Sequence, residues 1–258
     1  MVARKFDLSG KTALVLGGAT ALGRAIGVAL AEAGADVAFT TLAVNRQEEV
    51  AVNSAVNEVW ALGRKGFAAA IDVTDAAQVE AIVHRAADEL GRLDILVNNP
   101  ELPFAKPLAE TTLDEWQRAL TVNLSAVFFA CRAAAGVMLP QGQGRVINVT
   151  SILGERGVIN STAYCAAKAG VISLTRALAL EWARTGVTVN GIGVGFLEDV
   201  PGIGQDESLK AALEKYLPLR RLGRSPQMAG LAVYLASDAS EFITGQTIFV
   251  EGGALAHV

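Results

Sequence analysis

The feature that most constrains this chain is a repeated change of hydrophobic period, in which short unbroken apolar runs alternate with stretches of helical spacing. Residues 12–16 form the first such run. It is closed by Gly17-Gly18, and an Ala-rich helical pattern follows from about Ala21 to Gly34. The same strand signal recurs at 36–41, 66–71, 93–97, 145–149, 187–192 and 246–250, with helical patterns at 46–62, 76–90, 112–137, 163–183 and 226–236. Strands that are apolar throughout are buried on both faces, and helices between them make consecutive strands parallel. The predicted fold class is α/β, a single doubly wound domain over 1–258 with seven strands in a parallel sheet and helices on both faces. No Pro/Ser-rich linker, charge block or repeat divides the chain. The rhythm fails only at 193–226, where Pro201, Gly202, Gly204 and Pro218 surround one short charged helical piece. That composition suits a mobile lid, placed at 194–222.

Charge and cysteine usage narrow the function. Twenty-two basic against twenty-six acidic residues give a net charge of -4, which argues against nucleic acid or an anionic membrane surface as partner. A small molecule is expected instead. Cys131 and Cys165 make no disulfide framework, and with His84 and His257 they make no metal-ligand cluster, so no metal is predicted. The polar stretch Met1 to Lys11, and an apolar run that Arg24 interrupts, predict neither a signal peptide nor a membrane span. A reducing, cytoplasmic setting follows from these readings.

In doubly wound sheets, ligands bind beyond the carboxyl ends of the strands, so the loops there carry the chemistry. The first is Gly17-Gly18-Ala19-Thr20-Ala21-Leu22-Gly23, between a strand and a helix. Small residues let the backbone approach a pyrophosphate, and the helix N-terminus offers N–H groups and a positive dipole end. Gly10-Lys11-Thr12 does not make a phosphate loop, because it precedes the strand and lacks the earlier glycine. Farther on, Tyr164 and Lys168 lie four apart and share a helix face, with Ser151 upstream. A cation beside a phenol favours the phenolate, which would bring a group of pKa about 10 toward working range. Taken alone, each pattern also describes an ordinary tight turn or amphipathic helix.

Together, the glycine turn, Asp72-Val73, Asn98-Asn99, Asn123, Ser151, Tyr164 and Lys168 follow one order and spacing. In these residues the chain resembles the short-chain dehydrogenase/reductase superfamily over essentially its whole length, and most of all 3-oxoacyl-(acyl-carrier-protein) reductases and related ketoreductases. Pro218 to Gly223, Ile243 to Gln246 and Glu251-Gly252-Gly253 are similar to the family's closing segment. The resemblance implies a Rossmann sheet of order 3-2-1-4-5-6-7 and a homotetramer packed through 112–137 and 163–183. It implies that Tyr164 passes a proton to a carbonyl oxygen as a nicotinamide hydride reaches its carbon. Lys168 would hold the nicotinamide ribose and lower the phenol pKa, Ser151 would polarise the same oxygen, and Asn123 would hold a water linking Lys168 to solvent. Gly17, Leu22, Gly23, Thr41 and Asp72 are the implied cofactor contacts on the adenosine and phosphate side. Val73, Asn99, Tyr164, Lys168 and Leu197 complete them.

Five positions at four places depart from the family pattern: Ala21 for the middle glycine of the turn, Pro100-Glu101 for Ala-Gly, Val194 for Pro, and Asp199 for Thr. Pro100 removes a backbone donor, Asp199 exchanges a hydroxyl for an acceptor-only carboxylate, and Glu101 adds negative charge. Weaker NADPH binding than in typical relatives is the expectation. Thr40-Thr41-Leu42 lacks the acidic residue that NAD-selective relatives place after the second strand, which favours NADP(H), with NAD possible; Arg46 is a candidate for the 2′-phosphate. Leu197, Val200, Ile203 and Leu209 predict a partly apolar carbonyl or alcohol substrate, and Arg156 either receives an anionic group or pairs with Glu155. Two function classes stay open, an oxidoreductase and a catalytically weak nucleotide-binding or structural subunit.

Overall fold

The computed structural model describes residues 3–200, 203 and 205–256. Pro201, Gly202, Gly204 and His257, on which the sequence reading drew, lie outside them. Seven strands form one sheet: β1 (Thr12–Leu16), β2 (Asp36–Thr40), β3 (Ala68–Ala69), β4 (Ile95–Asn98), β5 (Gly144–Ser151), β6 (Val187–Val194) and β7 (Thr247–Val250). Their order is β3-β2-β1-β4-β5-β6-β7, and every pair is parallel. Successive residues of a strand point to opposite faces, so a fully apolar strand feeds two cores. Ala13, Val15, Val97 and Ile147 pack under α1 (Ala21–Glu32), α2 (Arg46–Ala61) and α8 (Ala229–Ala236). Leu14, Leu16, Leu96 and Val146 pack under α3 (Ala76–Leu90), α5 (Ala126–Gln141) and α6 (Thr162–Glu181). Each large side chain fully buried this way contributes about 1.5–3 kcal/mol.

Local chemistry starts the helices where the sequence predicts them. The Thr20 side chain caps α1 by accepting from Gly23 N at 3.0 Å, Asn45 caps α2, and Asp75 caps α3. Three boundaries differ from the sequence reading. The expected helix 112–137 is α4 (Leu113–Leu120), a π turn (Thr121–Ser125) and α5, which carries Pro140 in its last turn and ends at left-handed Gly142. A proline so near the C-terminus costs few intrahelical bonds, so it does not end the helix earlier. β3 is shorter than 66–71 because it is an edge strand paired with β2 alone. The last helix is split into a 3₁₀ turn (Ser225–Met228) and α8.

Leu113–Gln141 and Thr162–Glu181 are long and apolar enough to cross a membrane, yet roughly half of each apolar window is buried inside the protein (50% and 44%). Their hydropathy is that of core helices covering a sheet. The carboxyl ends of β1, β4, β5 and β6 bring Gly17, Asn99, Ser151 and Val194 to one side of the molecule.

Candidate active site

The glycine turn and β4 are built as one unit. Gly17 has φ 77, and a Cβ there would overlap the Asn99 carbonyl oxygen, while a Cβ at Gly23 would overlap the Gly17 carbonyl oxygen. Asn99 Nδ2 donates to Gly17 O at 3.1 Å and to Thr20 Oγ1 at 2.8 Å, which fixes the turn against β4. Thr20 caps Gly23 N through its side chain and Arg24 N through its carbonyl. The preceding amides, Ala21 and Leu22, come before the first intrahelical bond and are left for a ligand. A cradle without side chains at a helix N-terminus fits a dinucleotide pyrophosphate. Ala21, the first departure from the family pattern, is an exposed residue at the start of α1 and leaves this cradle intact.

The second group of predicted site residues stands one strand farther along. Ser151 ends β5, and α6 returns alongside it with Tyr164 and Lys168. Thr150 Oγ1 donates to Lys168 O at 2.9 Å, and a Cβ at Gly154 would stand 2.9 Å from that carbonyl, so α6 is seated closely against the end of β5. Below them, Asn98 Nδ2 donates to Asn148 Oδ1 at 2.8 Å, and Asn148 Nδ2 donates to Thr175 Oγ1 at 2.9 Å. This buried chain ties β4 to β5 and β5 to α6. Nothing in the sequence singled out Thr175, and Asn148 stood out only as part of a chance Asn-x-Thr match. Beside them the Cys131 thiol is pushed up to about 12 by burial.

Tyr164 is 8% exposed and Lys168 1%. The phenol donates to Glu101 Oε1 at 2.6 Å, and the Lys168 ammonium lies 2.7 Å from Glu101 Oε2 and donates to Pro100 O at 3.1 Å. Lys168 Nζ also sits 5.4 Å from the Tyr164 ring centroid. The phenol pKa is held well above its ordinary value, chiefly by burial, then by the Glu101 charge and hydrogen bond, with a hydrogen bond from Ser151 working the other way. The sequence reading had Lys168 lowering that pKa. Burial reverses the outcome, and Glu101 adds to it because its carboxylate faces the phenol directly.

Other predicted residues find partners that only the fold supplies. Asn123 is fully buried in the π turn, and it accepts from Leu102 N at 3.0 Å and donates to Leu102 O at 2.9 Å and to Ala119 O at 3.0 Å. Its side chain therefore clamps the strap that carries Glu101. Asp199 accepts from Ser225 N at 3.2 and 3.0 Å, so the carboxylate in the threonine position holds the 3₁₀ turn Ser225–Met228. Arg156 hydrogen-bonds the Tyr216 hydroxyl and donates to Ala254 O at 3.3 Å, whereas Glu155 pairs with Arg176. The proposed Arg156–Glu155 pair does not form, because Arg156 turns toward α7 (Glu207–Tyr216) and the C-terminal segment.

A cleft of about 630 Å³ runs along the carboxyl ends of the strands, lined among others by Leu42, Ala43, Glu48, Asp72, Thr74, Glu101 and Leu102. Asp72 Oδ1 accepts from Thr74 N at 2.9 Å and Thr74 Oγ1 at 2.6 Å, which shapes the wall after β3. Val73 is buried, with its N–H on Leu42 O at 3.0 Å. Thr41 is also buried, its hydroxyl donating to Ile71 O and accepting from Ile71 N, both at 2.9 Å. Leu197 is buried and bridges to Gly223, joining the start of the segment after β6 to the residues before the 3₁₀ turn Ser225–Met228. Glu48 was not singled out by the sequence, yet its carboxylate accepts from Leu42 N at 2.6 Å and Ala43 N at 3.3 Å. The spacing Asn45-x-x-Glu48 at a helix start is the signal that could have found it. Among the described residues no group of three His, Cys, Asp or Glu is placed to hold a metal ion.

Comparison with known proteins finds relatives over nearly the whole chain. A family profile described as enoyl-(acyl carrier protein) reductase matches residues 17–254. The chain is 34% identical over 259 residues to 2-dehydro-3-deoxy-D-gluconate 5-dehydrogenase of Escherichia coli (strain K12), covering 99% of this chain and 100% of that protein. It is 37% identical over 243 residues to 3-oxoacyl-(acyl-carrier-protein) reductase FabG of Staphylococcus aureus, covering 94% and 97%. Among solved structures, a gluconate 5-dehydrogenase from Burkholderia cenocepacia J2315, in complex with NADP and tartrate, superposes with a TM-score of 0.92 at 32% identity, over 100% of both chains.

Proposed function

The chain belongs to the short-chain dehydrogenase/reductase superfamily as an NAD(P)-dependent oxidoreductase, and from that premise we propose that it interconverts a ketone and a secondary alcohol with NADP(H). The observation that carries the reading is the convergence of Ser151, Tyr164 and Lys168 behind Glu101, which lines the cleft, together with a glycine cradle shaped for a pyrophosphate after β1. The cofactor, when bound at Gly17 to Gly23, supplies or accepts the hydride. In reduction, Tyr164 gives its phenolic proton to the carbonyl oxygen and Ser151 orients that oxygen, so the charge developing there meets donors already in place. In oxidation, Tyr164 takes the same proton back. Lys168, anchored by Pro100 O, holds the cofactor ribose, and Asn123 fixes the strap beside it.

NADP(H) as cofactor is supported by Thr40-Thr41-Leu42 at the end of β2 and by the NADP in the B. cenocepacia structure. The Glu48 carboxylate on Leu42 N favours NAD(H) as the second reading, since it places an acid where ribose hydroxyls are read. Catalytic efficiency with NADPH should exceed that with NADH by about tenfold or more, the worth of one charge-assisted contact. A preference for NADH overturns the assignment. As substrate we infer a partly apolar carbonyl compound, with a 3-oxoacyl thioester as the leading case, because Ile203, Leu213 and Tyr216 of the lid region pack with Ile152, Leu217 and Leu222. Glu101 on the Tyr164–Lys168 pair favours the catalytically weak alternative. A panel of ketones and alcohols with each cofactor separates the two; turnover on none of them sinks the oxidoreductase reading.

We also infer a cytoplasmic homotetramer. The outer faces of α4, α5 and α6 present Leu113, Phe128 and Leu180 at 85%, 45% and 81% exposure, apolar area that a symmetric interface covers. Phe128→Glu should lower the mass measured by light scattering from four chains to two or one. An unchanged mass in a variant of native circular dichroism removes this face from the interface.

A further inference from the structure

We propose that Glu101 is an internal latch: its carboxylate engages the proton of Tyr164 and the ammonium of Lys168 in the resting protein, and cofactor and substrate must displace it. The inference rests on the oxidoreductase reading above.

Counting donors makes the competition strict. A tyrosine has one O–H, and here it is spent on Glu101 Oε1 at 2.6 Å. Tyr164 can protonate a carbonyl oxygen only after that bond is exchanged. Lys168 has three N–H donors, of which one goes to Pro100 O and one to Glu101 Oε2. A ribose hydroxyl is then left the third N–H of Lys168 unless Glu101 yields the one it holds.

The latch is held from behind and free in front. Pro100 has a fixed φ, Lys168 binds its carbonyl, and Asn123 grips both polar groups of the Leu102 backbone. The strap at 100–102 is therefore anchored, and release falls to the Glu101 side-chain torsions. Glu101 is 28% exposed at its side chain and forms part of the cleft wall, whereas Lys168 behind it is buried. The carboxylate can swing into the cleft without moving the backbone.

The charges facing this point are few. From its own helix Tyr164 meets Lys168 and Cys165, from β5 Ser151, and from the strap Glu101. On the cleft side Glu101 shares the wall with Glu48, Asp72, Asp114 and Arg118. The excess of carboxylates gives a released Glu101 little to bind in the cleft, which favours its return to Lys168. If the released form is populated at about 1–10%, the apparent dissociation constant for a ligand that needs it is raised about 10- to 100-fold.

Glu101→Gln keeps the shape and removes the charge, and Glu101→Gly removes the side chain. Cofactor affinity by fluorescence titration of the whole protein, the phenol titration by ultraviolet difference spectroscopy, and turnover are measured in both. Tyr164→Phe in each background assigns the phenol signal. The expected result is NADPH binding tighter by about 10- to 100-fold. The Tyr164 midpoint should fall to lower pH as the facing negative charge is lost, and the pH profile of alcohol oxidation, which needs the phenolate, should move the same way. Unchanged affinity and an unchanged phenol midpoint, with turnover retained, overturn the latch. Loss of turnover in both folded variants also overturns it, since Glu101 would then be a required proton carrier. Tighter binding and a shifted phenol in the variants, with turnover on no substrate in the wild-type protein either, uphold the latch and fail the oxidoreductase reading.

Discussion

Tyr164→Phe is expected to lower kcat for carbonyl reduction by roughly 10²- to 10⁴-fold, the range in which a positioned general acid acts. The substitution removes one oxygen from a side chain that is 8% exposed and leaves the ring in its place beside Lys168. Cofactor affinity should stay within a few-fold, because Lys168 keeps Pro100 O and Glu101, and Glu101 loses one of two partners while remaining partly open to water. Stability should change little for the same reason. Steady-state kinetics and fluorescence titration on the same preparation check both halves. A variant that keeps more than a tenth of wild-type kcat removes Tyr164 from the chemistry; equal losses in kcat and in cofactor affinity point to collapse of the site instead.

Gly17→Ala carries the second large effect, and it acts on fold and ligand together. Two costs add at this position. The residue has φ 77, which a side chain tolerates at about 1–3 kcal/mol, and the new methyl group would overlap the Asn99 carbonyl oxygen, which is backbone and cannot rotate away. Gly10→Ala separates the terms, since Gly10 has φ 76 and open space where its Cβ would stand. Gly10→Ala should cost about 1 kcal/mol and Gly17→Ala about 2–4 kcal/mol, so that Tm falls by about 5–15 °C in the latter. Relieving the overlap moves the turn off the Asn99 side chain and misaligns the α1 amides. Cofactor affinity should therefore fall by about tenfold or more in Gly17→Ala alone. Equal Tm shifts in the two variants would show that backbone strain, and not the approach to Asn99, dominates.

Much of the architecture was legible because it is written in short-range patterns. The apolar strands and the strand-turn-helix spacing at Gly17 to Gly23 are patterns of a few consecutive residues. The boundaries that differ lie where tertiary contacts override local preference. The π turn at Thr121–Ser125 places Asn123 opposite Leu102, and the short β3 has only one neighbour to pair with. Ser151, Tyr164 and Lys168 were visible as a spacing. Asp199 and Glu101 were visible only as departures from a family pattern, without the partners that define what they do.

What the sequence alone determined is the α/β alternation and the glycine turn, since each follows from periodicity or turn chemistry, while roles for the trio Ser151, Tyr164 and Lys168 came from a family resemblance. What only the tertiary structure decided is the electrostatic state of that trio. Tyr164 and Glu101 are 63 residues apart in the chain, and Asn123 and Leu102 are 21 apart. Their meeting depends on where β4 ends, how Pro100 directs the strap, and how closely α6 sits on β5, none of which a local pattern encodes. Burial then gives the meeting its weight: beside a 1%-exposed Lys168, a carboxylate that water would screen on the surface governs the proton of Tyr164.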